Sequence, residues 1–203
     1  MEKNSSEKKG GTSRRDFLTQ IGLTGSGLML SPLLSKSENK EPDPRLPVST
    51  PVTTNLSVNG KKQTLTLASN VSLLDALRER LLMTGTKKGC DHGQCGACTV
   101  LKDGYRINSC LCLVALCEGA EIQTIEGLSK GDELHPMQQA FLKHDAFQCG
   151  YCTPGQICSA VGLIAEGHAK TDDAIRQQMS GNICRCGAYQ NILDAIKEVQ
   201  HSV

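Results

Sequence analysis

The chain has 203 residues, of which 38% are apolar, 3% aromatic and none Trp; 22 Lys and Arg stand against 21 Asp and Glu, for a net charge of +1. That balance excludes the usual nucleic-acid binder, which carries a basic excess or stripe. So few large apolar side chains predict modest cores of the kind that metals or disulfides staple, and eleven cysteines are available to do so.

The one dense basic cluster is N-terminal. Residues 13–18 read SRRDFL, and after Asp16 no charge appears until Lys36. The intervening stretch, FLTQIGLTGSGLMLSPLLS, is diluted by Gly, Ser, Thr and Pro and is less apolar than a membrane span. A basic segment followed by a short apolar one is the plan of a signal peptide. The Arg14–Arg15 pair, with Phe17 and Leu18 behind it, resembles a bacterial twin-arginine export signal. An uncleaved membrane anchor, or a chance Arg pair before a weak helix, is the alternative. No Ala-x-Ala site follows, and cleavage is expected within residues 33–50, in or before the Pro- and charge-rich stretch SKSENKEPDPRLPVSTP, which reads as a disordered linker. Residues 1–50 are thus expected to be signal and linker, and the location the bacterial periplasm.

From about Thr53 the pattern becomes structural. TTNLSVNG and KKQTLTLA alternate around Asn59-Gly60 and predict a β-hairpin. Ser72 precedes LLDALRERLL, where Leu73, Leu74, Leu77 and Leu81 share a helical face; Asp75 supports the helix start. CTVLKDGYRINSC predicts a second hairpin at Asp103-Gly104, and EIQTIEGL a last strand. This order suits a β-grasp-like unit over residues 51–127. Beyond Gly127 four segments read as helices: HPMQQAFLKHDAF, TPGQICSAVGLIAEG, TDDAIRQQMSG and AYQNILDAIKEVQ. Pro154 sits where a first turn tolerates it, and Thr171 before two aspartates is an N-terminal signal. Residues 128–203 are therefore expected to form a small helical bundle, making the chain α+β.

The cysteines fall into two sets. Cys90, Cys95 and Cys98 have the spacing C-x4-C-x2-C, with Cys110 twelve residues on. The first three match plant-type [2Fe–2S] ligation. Gly89, Gly93 and Gly96 let the backbone wrap a cluster and aim N–H groups at sulfur. Disulfides or zinc are the competing readings, and the four-residue gap fits zinc's paired knuckles less well. His92 lies in this loop, but the other histidines are far along the chain, so a Rieske site is disfavoured and His92 reads as a polar loop residue. The second set, Cys149 and Cys152 as CGYC with Cys184 and Cys186 as CRC, is ambiguous on spacing between zinc and iron–sulfur. Each pair sits at a loop–helix junction, so two loops can meet over one site. Cys112, Cys117 and Cys158 lie in apolar contexts and read as core residues, Cys112 being near enough to Cys110 to compete with it as ligand.

The segments KKGCDHGQCGACTV, INSCL, FQCGYCTPGQ and SGNICRCGAYQNI resemble, in order and spacing, the [2Fe–2S] small subunit of the xanthine oxidase family of molybdenum hydroxylases. The likeness runs from about Thr53 to Val199 and is to the exported small subunit of a bacterial periplasmic aldehyde oxidoreductase. It implies a plant-type ferredoxin domain of β-grasp fold followed by a four-helix-bundle [2Fe–2S] domain. It also implies that Cys149, Cys152, Cys184 and Cys186 hold a cluster proximal to the molybdenum cofactor, and that Cys90, Cys95, Cys98 and Cys110 hold a distal one. Gln148 and Cys186 match pterin-contacting positions. The molybdopterin, as its cytosine dinucleotide, would belong to a large partner subunit and FAD to a medium one, with a cytochrome as the alternative acceptor. The resemblance further implies a heterotrimer that meets the twin-arginine export machinery, with electrons passing from the molybdenum site through both clusters as aldehydes are oxidised to carboxylic acids. This chain offers no acid, base or G-x-G-x-x-G motif of its own. A hydroxylase of N-heterocycles such as isoquinoline, a self-standing exported ferredoxin and a colourless zinc or disulfide protein are the rival readings.

Overall fold

The computed structural model describes residues 15–20, 50–168 and 170–201, in two units divided at Pro47 and Val48. In the first, residues 15–20 form a short helix, α1, in which the Thr19 hydroxyl donates to the Arg15 carbonyl at 2.7 Å. Arg14, the apolar stretch behind α1 and the linker lie outside the described residues, and with them most of the expected export signal. Among the described residues no helix is long and apolar enough to cross a membrane.

The second unit begins with the hairpin of β1 (Pro51–Val58) and β2 (Lys61–Ala68). Asn59 and Gly60 both have positive φ, at 51° and 75°, as a type I′ turn requires. Asp103 and Gly104, at 52° and 84°, repeat the device between β3 (Thr99–Lys102) and β4 (Tyr105–Asn108). The last strand, β5 (Glu121–Gln123), slots between the hairpins, parallel to β1 and antiparallel to β3, giving the order β2-β1-β5-β3-β4. Leu56, Val58, Val100 and Ile122 turn one face of the sheet onto Leu73, Ala76, Leu77 and Val114. Ser72 caps the helix as expected, its hydroxyl accepting from Asp75 N at 3.1 Å. The helix itself is shorter than its leucine pattern: α2 (Leu73–Asp75) passes into a π turn (Ala76–Arg80), and Leu82 leaves it with φ 55°.

The second half supplies α3 (Pro136–Lys143), α4 (Thr153–Ala165), α5 (Asp172–Gln178) and α6 (Tyr189–Gln200). They close around Met137, Phe141, Ile157, Leu163, Ile175 and Ile196. Thr171 caps α5 by accepting from Ala174 N at 3.1 Å. The cap of α3 is less expected: His135 Nδ1 accepts from Met137 N, while Gln138 Oε1 accepts from His135 N.

Sheet and helices are tied together by α4, which runs across β3 and β4. Arg106, on β4, donates from Nε and Nη2 to the two oxygens of Glu166 at 2.9 and 2.5 Å, and from Nη1 to the Gln178 carbonyl at 3.2 Å. Both charged side chains are largely covered, at 16% and 19% exposed. The bond from Arg106 holds the Glu166 carboxyl below its ordinary range, against the opposing effect of burial. A depressed folded pKa means the bond's contribution is complete above the unfolded carboxylate value of about 4.3 and is lost as pH falls through the lower folded value. Glu166→Gln is therefore expected to cost about 1–3 kcal/mol at neutral pH, with a deficit that stays flat down to about pH 5 and narrows below it. Urea unfolding midpoints of the two proteins across that range check this; a deficit already shrinking between neutral pH and about 6 would contradict it.

Candidate metal centres

The loop after α2 carries the first set. Gln94 N donates to Cys90 Sγ at 3.2 Å, Gly93 N to Cys110 Sγ at 3.2 Å and Cys90 N to Cys95 Sγ at 3.4 Å. The N–H groups expected to face sulfur do so. The glycines serve distinct ends. At Gly89 the requirement is space, because a Cβ would lie 2.8 Å from Cys95 Sγ. Gly96 has φ 69° and also no room, since a Cβ would meet the Gly181 carbonyl at 2.5 Å. His92 is exposed and turns its Nδ1 onto the Cys90 carbonyl, so it is a loop residue.

The second set sits where α3 gives way to α4 and where α5 gives way to α6. Cys152 is the residue before α4, Cys184 N donates to the Tyr189 hydroxyl at 2.9 Å, and Ala188 N donates to Cys184 Sγ at 3.4 Å. Tyr189 thereby fixes the C-x-C turn from the first residue of α6.

The pairing of the thiols is what spacing could not give. Within each set the thiols act on one another: Cys95 helps lower Cys90, Cys98 helps raise Cys110, Cys186 helps lower Cys149 and Cys184 helps raise Cys152. A [2Fe–2S] cluster takes four Cys thiolates, two on each iron, and each set supplies four. Electrostatics agree. The backbone N–H of His92, then that of Gln94, lowers the Cys90 thiol to about 6. Burial, and then Cys98, pushes Cys110 up to about 12; burial, and then Cys184, does the same to Cys152. The N–H of Tyr151, then the Cys186 thiol, lowers Cys149. Sites that crowd thiols in this way suit a bound cation that offsets the repulsion. The Thr153 hydroxyl, next to Cys152, is buried without a protein partner, which also suits a group bearing acceptor sulfur.

The two sets adjoin. Ile183 N, one residue before Cys184, donates to the Cys95 carbonyl at 2.9 Å. Asn182 Nδ2 donates to the Gly96 carbonyl at 3.0 Å and to Thr99 Oγ1 at 3.2 Å, while Gln156 Nε2 holds the Asn182 carbonyl at 2.9 Å. Tyr151 reaches the Lys88 carbonyl at 2.6 Å. None of these latch residues is marked by spacing; the one sequence cue is a run of polar and small residues, SGNIC, before the C-x-C. Cys149 and Cys186 are exposed, Cys98 and Cys184 buried. Gln148 is exposed beside Cys149. Cys112 Sγ lies 3.5 Å from Cys117 Sγ, and Cys158 is buried in the helical core. Burial pushes Cys117 and Cys158 up to about 12.

Two family profiles match the chain: the 2Fe-2S iron–sulfur cluster binding domain over residues 56–115 and the [2Fe-2S] binding domain over residues 124–197. The chain is 50% identical to the aldehyde oxidoreductase iron–sulfur-binding subunit PaoA of Escherichia coli O157:H7, over 92% of this chain and 87% of that one. It is 42% identical to the xanthine dehydrogenase iron–sulfur-binding subunit of the same organism, over 73% and 94%. The chain belongs to the [2Fe–2S] small subunits of the xanthine oxidase family. Among solved structures it resembles quinoline 2-oxidoreductase from Pseudomonas putida 86, with TM-score 0.71 and 43% identity over 75% of this chain and 94% of that one. Both relatives are named as iron–sulfur-binding subunits, one of an aldehyde oxidoreductase and one of a xanthine dehydrogenase.

Proposed function

We propose that this chain is the electron relay of a molybdenum hydroxylase complex that oxidises aldehydes to carboxylic acids. The observation that carries the reading is the adjacency of two sets of paired cysteines through Ile183 and Cys95. Cys149, Cys152, Cys184 and Cys186 would hold the proximal [2Fe–2S] cluster, and Cys90, Cys95, Cys98 and Cys110 the distal one. Such clusters supply one-electron acceptance and release. The chain's own contribution is to bury the inner thiols, aim N–H groups at sulfur and keep the two sets in hydrogen-bonded contact. The exposed end, with Gln148, Cys149 and Cys186 among Phe147, Tyr151 and Ile183, fits a face for a pterin-bearing large subunit. The distal loop would face a FAD subunit or another acceptor. The order of strands and helices supports a β-grasp ferredoxin domain over residues 51–127 followed by a four-helix bundle over 128–203.

Aldehydes are favoured over other substrates by extent of likeness. The match to the aldehyde oxidoreductase subunit covers 92% of the chain and so reaches well into the first 50 residues. The likeness to the quinoline enzyme covers 75% and keeps an N-heterocycle substrate as the second reading. The same long match supports export through the Arg14–Arg15 signal to the periplasm.

One purification tests both parts. The complex taken from a periplasmic extract is expected to hold about four irons per copy of this chain, with two distinct [2Fe–2S] EPR signals, and to bring a molybdenum subunit with it. A single signal, or iron without a partner, overturns the relay. Replacing Arg14 and Arg15 with Lys is expected to leave the complex in the cytoplasm; undiminished periplasmic activity would refute export.

A further inference from the structure

The turn that follows Cys110 holds two cysteines outside the relay. Cys112 and Cys117 face each other with their sulfurs 3.5 Å apart. Their positions are fixed by the backbone around them. The Cys112 carbonyl accepts from Leu73 N at 2.6 Å, Val114 N donates to the Val71 carbonyl at 3.0 Å, and Cys117 N donates to the Val114 carbonyl at 2.8 Å. Apart from each other, the two thiols find only the Leu113 carbonyl among the described residues, at 3.8 and 3.5 Å. Cys110, by contrast, is engaged with Gly93 N and Cys98. The two jobs are separated even though the residues are two apart.

Access is unequal. Cys117 is fully buried. Cys112 lines an open cleft of about 430 Å³, with Lys102, Ile107, Asn108, Leu111 and Leu116. A disulfide-bearing oxidant can therefore reach Cys112 but not Cys117.

We infer that Cys112 and Cys117 are an oxidation site that closes to a disulfide within the folded, cluster-bearing chain. Closure brings the sulfurs from 3.5 Å to the bonded distance of about 2.05 Å. The oxidant is a disulfide, either glutathione disulfide or a protein disulfide. Cys112 sulfur attacks one sulfur of the oxidant; that S–S bond breaks, and a first thiol leaves with the Cys112 proton. Cys117 sulfur then attacks the mixed disulfide, the Cys112–Cys117 bond forms, and a second thiol leaves with the Cys117 proton. The chain loses two electrons and two protons, and the oxidant gains both. The closed loop ties the chain just beyond Cys110 to the core residue Cys117, so it is expected to slow escape of the distal cluster. The site is a property of the folded chain and stands whether or not the chain is exported.

The test uses the intact iron-loaded complex, reduced, desalted under argon and incubated with glutathione disulfide. Thiols are then trapped with N-ethylmaleimide in denaturant and the chain is cut with trypsin. Residues 107–130 form one tryptic peptide containing Cys110, Cys112 and Cys117. One maleimide, on Cys110, is expected on this peptide after oxidation, and three before it. Cys112→Ser is expected to carry two maleimides after the same treatment, and Cys117→Ala one maleimide together with a glutathione retained on Cys112. The oxidised complex should keep its distal EPR signal and lose it to a chelator several-fold more slowly than the reduced complex. Three maleimides after oxidation overturn the inference. So does a disulfide that persists in Cys112→Ser, or one whose formation removes the distal signal, since either would place Cys110 in the bond.

Discussion

Gly155→Ala is expected to lower the apparent unfolding midpoint of the chain by several degrees and to weaken both cysteine sites together. A Cβ at Gly155 would lie 2.2 Å from the Gly96 carbonyl oxygen and 3.0 Å from two backbone atoms of Ala97. These are backbone atoms of a loop already committed to Cys95 and Cys98, so they cannot swing aside as a side chain would. Relief requires the start of α4 to withdraw from the loop, which strains the bonds from Ile183 to Cys95 and from Asn182 to Gly96. Overpacking of this kind costs about 1–3 kcal/mol, occasionally more, and the lost bonds about 1 kcal/mol each. For a unit of this size that is a shift of roughly 6–20 °C. Gly181→Ala is the matched control, because a Cβ there meets nothing within 4 Å. Scanning both variants at one heating rate, with iron measured before the scan, decides the matter. A Gly155→Ala protein that melts with Gly181→Ala would show that the contact is not needed.

Removing one thiol from each set is expected to have the largest effect on cofactor content. Cys98→Ala should abolish one EPR signal and Cys152→Ala the other, each dropping iron from about four to about two per chain. A [2Fe–2S] cluster needs two protein thiolates on each iron, so either change leaves one iron with a single protein sulfur. Each variant is expected to retain the signal of the untouched set, because the sets are latched through backbone and amide groups rather than through a common sulfur. Cys158→Ala, in the helical core, is expected to keep both signals. Loss of the distal signal in Cys112→Ser, with retention in a Cys110→Ala protein, would reverse the choice of fourth ligand.

Legibility in the sequence followed the range of the interaction. The two hairpins were readable because Asn59-Gly60 and Asp103-Gly104 carry their own backbone requirement. Ser72 and Thr171 were readable as caps because each bonds within three residues. The insertion of β5 between β1 and β3 was not readable, since a three-residue strand has no local mark of its neighbours. Nor was the π turn after α2, where packing of Ala76 and Leu77 overrides the helical period of the leucines. The first cysteine set was legible because its ligands are close in sequence and their spacing is restrictive. The second needed its surroundings, because its pairs form across the gap between Cys152 and Cys184, and spacing says nothing of which thiol meets which. The latch of Asn182, Gln156 and Gly155 escaped notice for the same reason: amide and glycine positions acquire their meaning from what approaches them.

The uneven covering of the second set bears on the life of the chain before assembly. Cys149 and Cys186 are open to solvent, with Tyr151 and Ile183 each 49% exposed beside them, while Cys152 and Cys184 face inward. With a cluster seated there, dioxygen and stray metals would reach it from one side only, the side a larger subunit would cover. Oxygen tolerance would then be a property of the assembled complex rather than of this chain, and a subunit made in excess of its partner would be short-lived in air.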